Sequence, residues 1–321
     1  MRSFSCARCG QLLFFDNDAC MRCRSPLAYR PSSGQVELLV DGDTRCANHD
    51  IGCNWLVEDG GGQCRSCRLT RTVPPRSDPD AQAAWADAEA AKRMLMFQAD
   101  ELGLDLSGVV FDLKSSSHEP VITGHANGVV TIDVNEADDL VRARMRERMG
   151  EAYRTMLGHF RHEIGHYLWM TMVDRGRRIA SFRQVFGDER ADYRQALDSH
   201  YDSPPPEGWD QSHVSIYASS HPWEDFAETL AHYLHIRDAL QTAAAFGLAV
   251  DGPHPVLEAN PESIDQAKST HIQPLIDEWL PLTYALNAVN RSLGIAPLYP
   301  FVLAPTVMAK LDWVHRMVEG D

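Results

Sequence analysis

The sequence lacks the features that mark membrane, secreted and disordered proteins. A membrane helix needs about 18 uninterrupted apolar residues, and no apolar segment of the chain approaches this length. The first ten residues contain no apolar core, so we expect no secretory signal and predict a cytoplasmic protein. With 321 residues, 44% of them hydrophobic and 23% charged, the chain has a globular composition and is long enough for two domains.

Positive charge is scarce and unevenly distributed. The chain has 30 Lys and Arg against 45 Asp and Glu, and its net charge of −15 argues against nucleic acid as a general partner. Residues 1–77 contain ten arginines, no lysine and eight acidic residues, whereas residues 78–321 contain 20 basic and 37 acidic residues. The acidic excess therefore belongs to the larger, C-terminal part of the chain.

Cysteine is absent after position 67, and all eight cysteines lie between positions 6 and 67. The first four form two Cys-x-x-Cys pairs separated by ten residues. This spacing is typical of a zinc ribbon, because two such pairs supply four thiolates to one tetrahedral ion. We predict two structural zinc ions, each bound by four cysteines. The first set is Cys6, Cys9, Cys20 and Cys23, and the second set is Cys46, Cys53, Cys64 and Cys67.

The second cysteine set fits the zinc-ribbon template less well, because six residues separate Cys46 from Cys53. His49 lies between them, but a closed four-thiolate site leaves it as a bystander. Two alternatives stay open. The two sets could interleave, as in cross-braced zinc modules, or the cysteines could form disulfides, which a cytoplasmic location disfavours.

The segment 70–80, with its adjacent prolines and no apolar periodicity, predicts a linker. We therefore expect a zinc-ribbon region over 1–77 and a second domain over 78–321. Apolar patterning then predicts a helix over 81–104 and a mostly helical chain from 137 onward. Short strands are predicted at 109–111, 120–122 and 129–134, with Asn127-Gly128 as a hairpin turn before the last strand. The predicted fold class is α+β: zinc ribbons followed by a mostly helical domain with a small β-sheet.

The segment 159–169 contains His162-Glu163-x-x-His166, the HExxH pattern. Residues four apart share one face of a helix, so both imidazoles can bind one metal ion. Glu163 then faces the water that the metal activates, as a general base. Gly165 costs about 1 kcal/mol in a helix interior relative to Ala, so we expect another backbone or the substrate to pass close to it. We expect that His159 does not bind the metal and that it either lies near the site or is merely exposed.

A catalytic zinc needs a third protein ligand, and two regions compete for this role. One supplies Glu189 or Asp192; the other supplies Glu224, in a helix that the first-turn Pro222 predicts. Carboxylates that do not bind the metal can orient its histidines, and the candidates are Asp188, Glu189, Asp192 and Glu228. We expect His232 and His235 to be core or exposed histidines.

The order of Tyr217, Glu224 and a following Phe-Ala-Glu after HEIGH resembles the gluzincin metallopeptidases, in the arrangement of anthrax lethal factor. The resemblance implies that Glu224 is the third zinc ligand and that Tyr217 donates a hydrogen bond to the oxyanion. The alternative for Tyr217 is an aromatic residue that packs in a loop. The whole chain is also similar to a bacterial family of zinc-binding metallopeptidases with an N-terminal zinc-ribbon region. The matching stretches are 53–55, 153–155, 158–166, 188–193 and 221–228.

These observations predict a zinc-dependent metallopeptidase with one catalytic and two structural zinc ions and a protein or peptide substrate. The zinc ribbons would serve recruitment or regulation. We expect a strand such as 129–134 to hold the substrate as an added strand. One alternative function is a zinc-ribbon module that binds protein or nucleic acid beside an inactive catalytic scaffold. A second is a redox sensor whose cysteines lose zinc on oxidation.

Overall fold

The computed structural model describes residues 2–138, 141, 155–250 and 271–320, so Tyr153 and Arg154 of the family resemblance lie outside the described residues. The chain divides into two compact units, Met1–Val141 and Arg142–Asp321. Small sheets in the first unit and helices in the second confirm the α+β class. The domain boundary predicted between 77 and 78 lies inside the first unit and stays a prediction.

Ten short strands lie in the described part of the first unit. They are β1 (Phe4–Ser5), β2 (Leu12–Leu13), β3 (Leu27–Arg30), β4 (Gln35–Leu38), β5 (Thr44–Arg45), β6 (Leu56–Val57), β7 (Thr70–Thr72), β8 (Val110–Lys114), β9 (Gly124–Ala126) and β10 (Val129–Asp133). The first six strands form three two-stranded antiparallel sheets. The last four form one sheet in the order β7-β8-β10-β9, with β10 parallel to β8 and antiparallel to β9.

The predicted linker is wrong at its start, because Thr70–Thr72 is a strand at the edge of the four-stranded sheet. Thr70 pairs with Phe111 and Thr72 with Asp112. The side chains add to this pairing, since Thr72 Oγ1 donates to Asp112 Oδ1 at 2.6 Å and Arg71 forms an ion pair with the same carboxylate. The short polar strand is stabilised by its neighbour, which the local composition does not reveal.

Two of the three predicted strands are confirmed with shifted ends, as β8 and β10. The strand predicted at 120–122 is wrong, since these residues are irregular and the pairing segment is Gly124–Ala126. Pro120 cannot donate to a ladder, which disfavours a strand there. The turn at Asn127-Gly128 is confirmed, and both residues have the positive φ, 51° and 84°, that a tight hairpin turn requires.

We expected the segment 129–134 to pair with the substrate as an added strand. This prediction is wrong for residues 129–131. Strand β10 lies between β8 and β9, and Val129–Thr131 pair on both sides. An added strand needs free backbone groups at a sheet edge. The edges of this sheet belong to β7 and β9 instead.

Helix α1, Pro79–Glu101, is the core element of the first unit. It begins at the cap residue Asp78, whose carboxylate accepts from Ala81 N at 3.0 Å, and it has proline in its first turn. The ring of Phe97 on this helix packs against Phe15 and Tyr29, with centroid separations of 4.8 and 5.8 Å. The cysteine-containing hairpins and α1 therefore share one apolar core.

The second unit contains six α-helices among the described residues. They are α2 (Met156–Leu168), α3 (Ile179–Phe186), α4 (Tyr193–Asp202), α5 (Pro222–Ala245), α6 (Gln273–Ser292) and α7 (Pro305–Glu319). Helix α5 packs against α2, α6 and α7. A π-helical turn, Trp169–Asp174, follows α2. In the described part of the chain, every helix is too short or too polar to cross a membrane.

Candidate metal centres

Each predicted cysteine set converges on one point, and the two sets do not interleave. In the first set, Cys6 Sγ lies 3.7 Å from Cys23 Sγ, and Cys9 Sγ lies 3.6 Å from Cys20 Sγ. A tetrahedral zinc site with Zn–S bonds of about 2.3 Å has sulfur–sulfur edges of about 3.8 Å. The spacing therefore fits zinc, and all eight cysteines are free rather than disulfide-bonded.

The second cysteine set is more deeply buried than the first, because all four of its members are buried, against two of four in the first set. Cys53 Sγ lies 3.7 Å from the sulfur atoms of both Cys64 and Cys67. His49 lies outside this group and contacts Arg45 Nη1 at 3.2 Å. The donor set is thus four thiolates, which is the composition of a closed structural site.

A buried ion pair from helix α1 lies beside the second cysteine set. Glu89 Oε2 is 3.9 Å from Cys67 Sγ, and Glu89 Oε1 accepts from Lys92 Nζ at 2.9 Å. Both charged side chains are fully buried, so each compensates the charge of the other. Thr70 Oγ1 donates to the same carboxylate at 2.5 Å, which links strand β7 to the cluster.

The HExxH pattern lies on α2, as predicted, and this helix is buried along its length. It begins at Thr155, whose hydroxyl accepts from Gly158 N at 2.9 Å. At its centre, a Cβ on Gly165 would lie 2.8 Å from Ala227 Cα of α5. The prediction that a backbone passes close to Gly165 is therefore confirmed. This close approach brings the carboxylates of α5 to the histidines of α2.

Three side-chain atoms from α2 and α5 converge at this contact. Glu224 Oε2 lies 3.0 Å from His162 Nε2 and 3.4 Å from His166 Nε2. A tetrahedral zinc site with ligand bonds of about 2.0–2.1 Å has edges of about 3.3 Å. Glu224 Oε2 is buried beside these two imidazole nitrogens. Two imidazoles and one carboxylate form one of the donor sets that catalytic zinc sites use, so these residues fit a zinc ion.

A chain of hydrogen bonds orients His162. Its Nδ1 contacts Glu228 Oε1 at 2.7 Å, and Glu228 Oε2 accepts from Ser215 Oγ at 2.7 Å. Burial raises the pKa of Glu228, but the hydrogen bond and charge of His162, together with His232 and Ser215, outweigh burial and hold the pKa at about 2. An ionised Glu228 fixes the tautomer of His162 with Nε2 directed to the metal position. Glu228 was one of the four carboxylates predicted to orient a metal-binding histidine. In the structure it contacts His162.

Glu163 is buried beside the two histidines. Its Oε1 lies 3.3 Å from His159 Nε2, whereas its Oε2 is buried without a hydrogen-bond partner. Burial would raise the pKa of Glu163, but His159 and the two site histidines lower it below its ordinary value. The carboxylate is therefore ionised at neutral pH, with one oxygen free. His159 contacts Glu163 beside the site, and it does not belong to the group of His162, His166 and Glu224 that could hold a metal.

Tyr217 lies in the short 3-10 turn before α5, with its ring centroid 5.8 Å from that of His162. Burial and the negative charge of Glu224 raise the pKa of Tyr217 well above its ordinary value. Its hydroxyl therefore stays protonated and can donate a hydrogen bond. The loop that carries Tyr217 is held in place by Ser215, whose Oγ also accepts from Ala218 N at 3.1 Å.

The competing carboxylates have other partners. Glu189 Oε2 accepts from Arg183 Nε at 2.9 Å, and Asp188 forms an ion pair with Arg190 at 2.7 Å. Asp192 caps α4, where it accepts from Gln195 N at 3.0 Å. The group that could hold a metal in the second unit's described residues contains Glu224 and none of these three acids.

Tyr193, the first residue of α4, also belongs to the site, although the sequence did not predict it. Its hydroxyl donates to Glu224 Oε1 at 2.6 Å. The sequence feature that could have indicated Tyr193 is its position in the stretch 188–193, which is one of the stretches that resemble the family. His232 and His235 are core histidines, as expected; His232 Nδ1 contacts the Tyr299 hydroxyl at 2.8 Å, and the ring of His235 stacks on Tyr299.

Comparisons with known proteins agree with this arrangement. The profile of a family described as "putative zinc-binding metallo-peptidase" matches residues 81–317, and that of a zinc-ribbon domain matches residues 3–78. An uncharacterized protein of Mycobacterium bovis and uncharacterized proteins from two strains of Mycobacterium tuberculosis are each 48% identical to this chain. Each alignment covers 99% of this chain and 96% of the relative. No solved structure matches significantly, and the likeness to lethal factor stays a prediction.

Proposed function

Since the chain belongs to this family of zinc-binding metallopeptidases with an N-terminal zinc-ribbon domain, we propose that it hydrolyses peptide bonds in a protein or peptide substrate. One observation carries the proposal. Two imidazole nitrogens and one carboxylate oxygen converge beside Glu163, a buried carboxylate with one free oxygen. Nothing in a purely structural zinc site requires such a base, whereas hydrolysis does.

His162, His166 and Glu224 would hold one catalytic zinc ion, and the two cysteine sets would hold one structural zinc ion each. A bound catalytic zinc supplies Lewis-acid chemistry, since it polarises the scissile carbonyl and makes water acidic enough to lose a proton near neutral pH. Three protein ligands leave a position open for water and substrate. The four-thiolate sites have no such position, which is why we assign the chemistry to the second unit.

Glu163 transfers the protons of the reaction. Its free Oε2 takes a proton from the attacking water as the water oxygen bonds to the carbonyl carbon. When the carbon–nitrogen bond breaks, Glu163 gives that proton to the departing amine. His159 holds Oε1 and keeps the carboxylate ionised before the reaction, as the pKa direction indicates.

Tyr217 stabilises the negative charge that develops on the carbonyl oxygen. A single donor to such an oxyanion is worth about 3 kcal/mol in the transition state. The raised pKa of Tyr217 keeps its proton in place for this role. Glu228 and Ser215 keep His162 in the orientation that ligation requires.

A base variant tests the proposal directly. Glu163→Gln removes the proton acceptor but none of the three converging atoms, so we expect hydrolysis to be abolished while zinc content stays at about three ions per chain. Zinc is measured by metal analysis. Hydrolysis is measured by identifying new N-termini in a protein extract treated with wild type or variant.

Glu189→Gln is the matched control, because Glu189 is paired with Arg183 away from the converging atoms. We expect this control to cleave like wild type. Wild-type rates in Glu163→Gln would refute the role of Glu163, and an extract without new N-termini after wild-type treatment would refute the peptidase activity.

A further inference from the structure

Tyr193 lies where two helices of the second unit begin. It is the first residue of α4, and its ring contacts two residues at the start of α5, His221 at 5.2 Å and Trp223 at 5.7 Å between centroids. His221 is the cap of α5, and its Nε2 lies 3.2 Å from the carbonyl oxygen of Ala191. The two helix starts are therefore tied together just before Glu224.

The two oxygens of Glu224 have different surroundings. Oε1 receives the Tyr193 hydroxyl at 2.6 Å, a short bond of the kind that a phenol makes to an ionised carboxylate. Oε2 lies beside the imidazole nitrogens of His162 and His166, at 3.0 and 3.4 Å. A carboxylate can bind a metal through one oxygen or through both. Here one of the two oxygens is already engaged.

We propose that Tyr193 is a positioning residue that makes Glu224 a one-oxygen ligand of the catalytic zinc. The proposal rests on the proposed function. By donating to Oε1, the Tyr193 hydroxyl competes with the metal for that oxygen and favours binding through Oε2 alone. This leaves the open position to water and substrate, which a second carboxylate oxygen would otherwise occupy. It also fixes the carboxylate plane before the metal binds, and such orientation by neighbouring groups increases metal affinity.

Tyr217 supplies the natural comparison, since it is a second phenol near the same carboxylate. Its ring contacts His162 and His200, at 5.8 and 5.6 Å, and its assigned partner is the substrate oxyanion. The two tyrosines thus have different roles: Tyr193 acts on the metal ligand, and Tyr217 acts on the substrate. Removing one hydroxyl or the other should affect different measurements.

The test uses the full-length protein with its cysteine sites loaded with zinc. The affinity of the third zinc ion is measured by competition with a chromophoric chelator. We expect Tyr193→Phe to bind this zinc roughly 10–100-fold more weakly than wild type, which is the usual cost of losing a group that orients a ligand. We expect Tyr217→Phe to bind it like wild type while cleaving peptides more slowly. An equal loss of affinity in both variants would overturn the assignment to Tyr193.

A second measurement reports the coordination itself. Cobalt(II) replaces the catalytic zinc, and its visible absorption bands weaken as coordination rises from four to five ligands. We expect weaker bands in Tyr193→Phe, because the released Glu224 oxygen can then bind the metal. Unchanged affinity and an unchanged spectrum would overturn the proposal.

The outcome also separates this proposal from the proposed function. A wild-type protein that binds the third zinc without cleaving any peptide would refute the peptidase activity and leave the role of Tyr193 to be decided by the zinc and cobalt measurements. A wild-type protein that binds no third zinc would refute both.

Discussion

The two units of the molecule build their candidate metal sites in different ways. In the first unit, each site takes four thiolates from one short stretch of chain, residues 6–23 or 46–67. In the second unit, the site takes two imidazoles from α2 and one carboxylate from α5, which begins more than fifty residues later in the chain. The thiolate sites are complete with four donors, whereas the three-donor site keeps a position open.

This difference in how the donors are assembled indicates a different role for a metal ion in each unit. The cysteine-containing hairpins have only two strands each, so a metal bound by the thiolates would add folding free energy to the apolar core that they share with α1. The histidines of the second unit lie instead on a helix that is already buried against α5, with a core that includes Phe182, Phe226 and Trp313. The fold of the second unit therefore positions its candidate ligands, whereas a metal ion in the first unit would also hold small hairpins together.

The largest expected effect comes from breaking a thiolate site. Cys67→Ser removes a fully buried sulfur, and structural zinc supplies about 10–16 kcal/mol of binding free energy in small zinc-binding peptides. We expect the variant to lose one zinc ion and to lose hydrogen-exchange protection across residues 2–138. Glu224→Gln should lose the third zinc ion while protection in both units is retained. Equal loss of protection in the two variants would contradict the distinction between the units.

An intermediate effect comes from a histidine that belongs to the core instead of the site. Burial lowers the pKa of His232 from 6.5 to about 4, and the negative charge of Glu228 opposes this shift only in part. The unfolded chain then binds the proton more readily, so His232 stabilises the fold above pH 6.5, and this contribution is lost as the pH falls toward 4. At about 1.4 kcal/mol per pKa unit, the loss reaches ~3 kcal/mol.

The measurement is the free energy of urea unfolding of the second unit against pH, in wild type and in His232→Gln, both freed of metal with a chelator. The variant should lose less stability than wild type between pH 6.5 and 4. Parallel curves for the two proteins would show that His232 does not contribute the expected pH dependence.

The smallest expected effect tests the contact that brings the two helices of the site together. In Gly165→Ala the new methyl group meets the backbone of Ala227 at 2.8 Å, and overpacking of this kind costs about 1–3 kcal/mol. The better helix propensity of Ala offsets about 1 kcal/mol of that cost. We expect a modest loss in the free energy of unfolding together with weaker binding of the third zinc, because α5 carries Glu224.

Gly62→Ala is the control, since a Cβ there meets no atom within 4 Å. Its free energy of unfolding should stay within about 0.5 kcal/mol of wild type. If Gly165→Ala behaves like this control in both stability and zinc affinity, the close approach of α2 and α5 does not control the site.

Much of the architecture could be predicted because its signals are local. The Asn127-Gly128 turn needs only two residues that tolerate positive φ, and the α2 pattern needs only the helical repeat. The strand Thr70–Thr72 was misinterpreted as linker because its stability comes from Phe111 and Asp112, about forty residues away. Short polar strands of this kind have no pattern of their own.

The candidate site divides in the same way. The four-residue spacing of His162 and His166 on one helix predicted that they lie together, and the cysteine spacings predicted the two groups of thiols. Both predictions succeed because the geometry of a few neighbouring residues limits where their side chains can point. Spacing could not choose between Glu189 and Glu224. That choice depends on Arg183, which pairs with Glu189, and on the packing of Gly165 against Ala227, which brings Glu224 to the histidines.

By itself the sequence determined which donor atoms were available and which of them share a helix or a hairpin, because neighbouring residues have few relative geometries. Only the tertiary structure decided that Glu224 completes the group and that Tyr193 engages its other oxygen. Both results require α2, α4 and α5 to meet at one place. The physical reason is that helix packing is a sum of many weak contacts spread along the chain, and no single motif contains it.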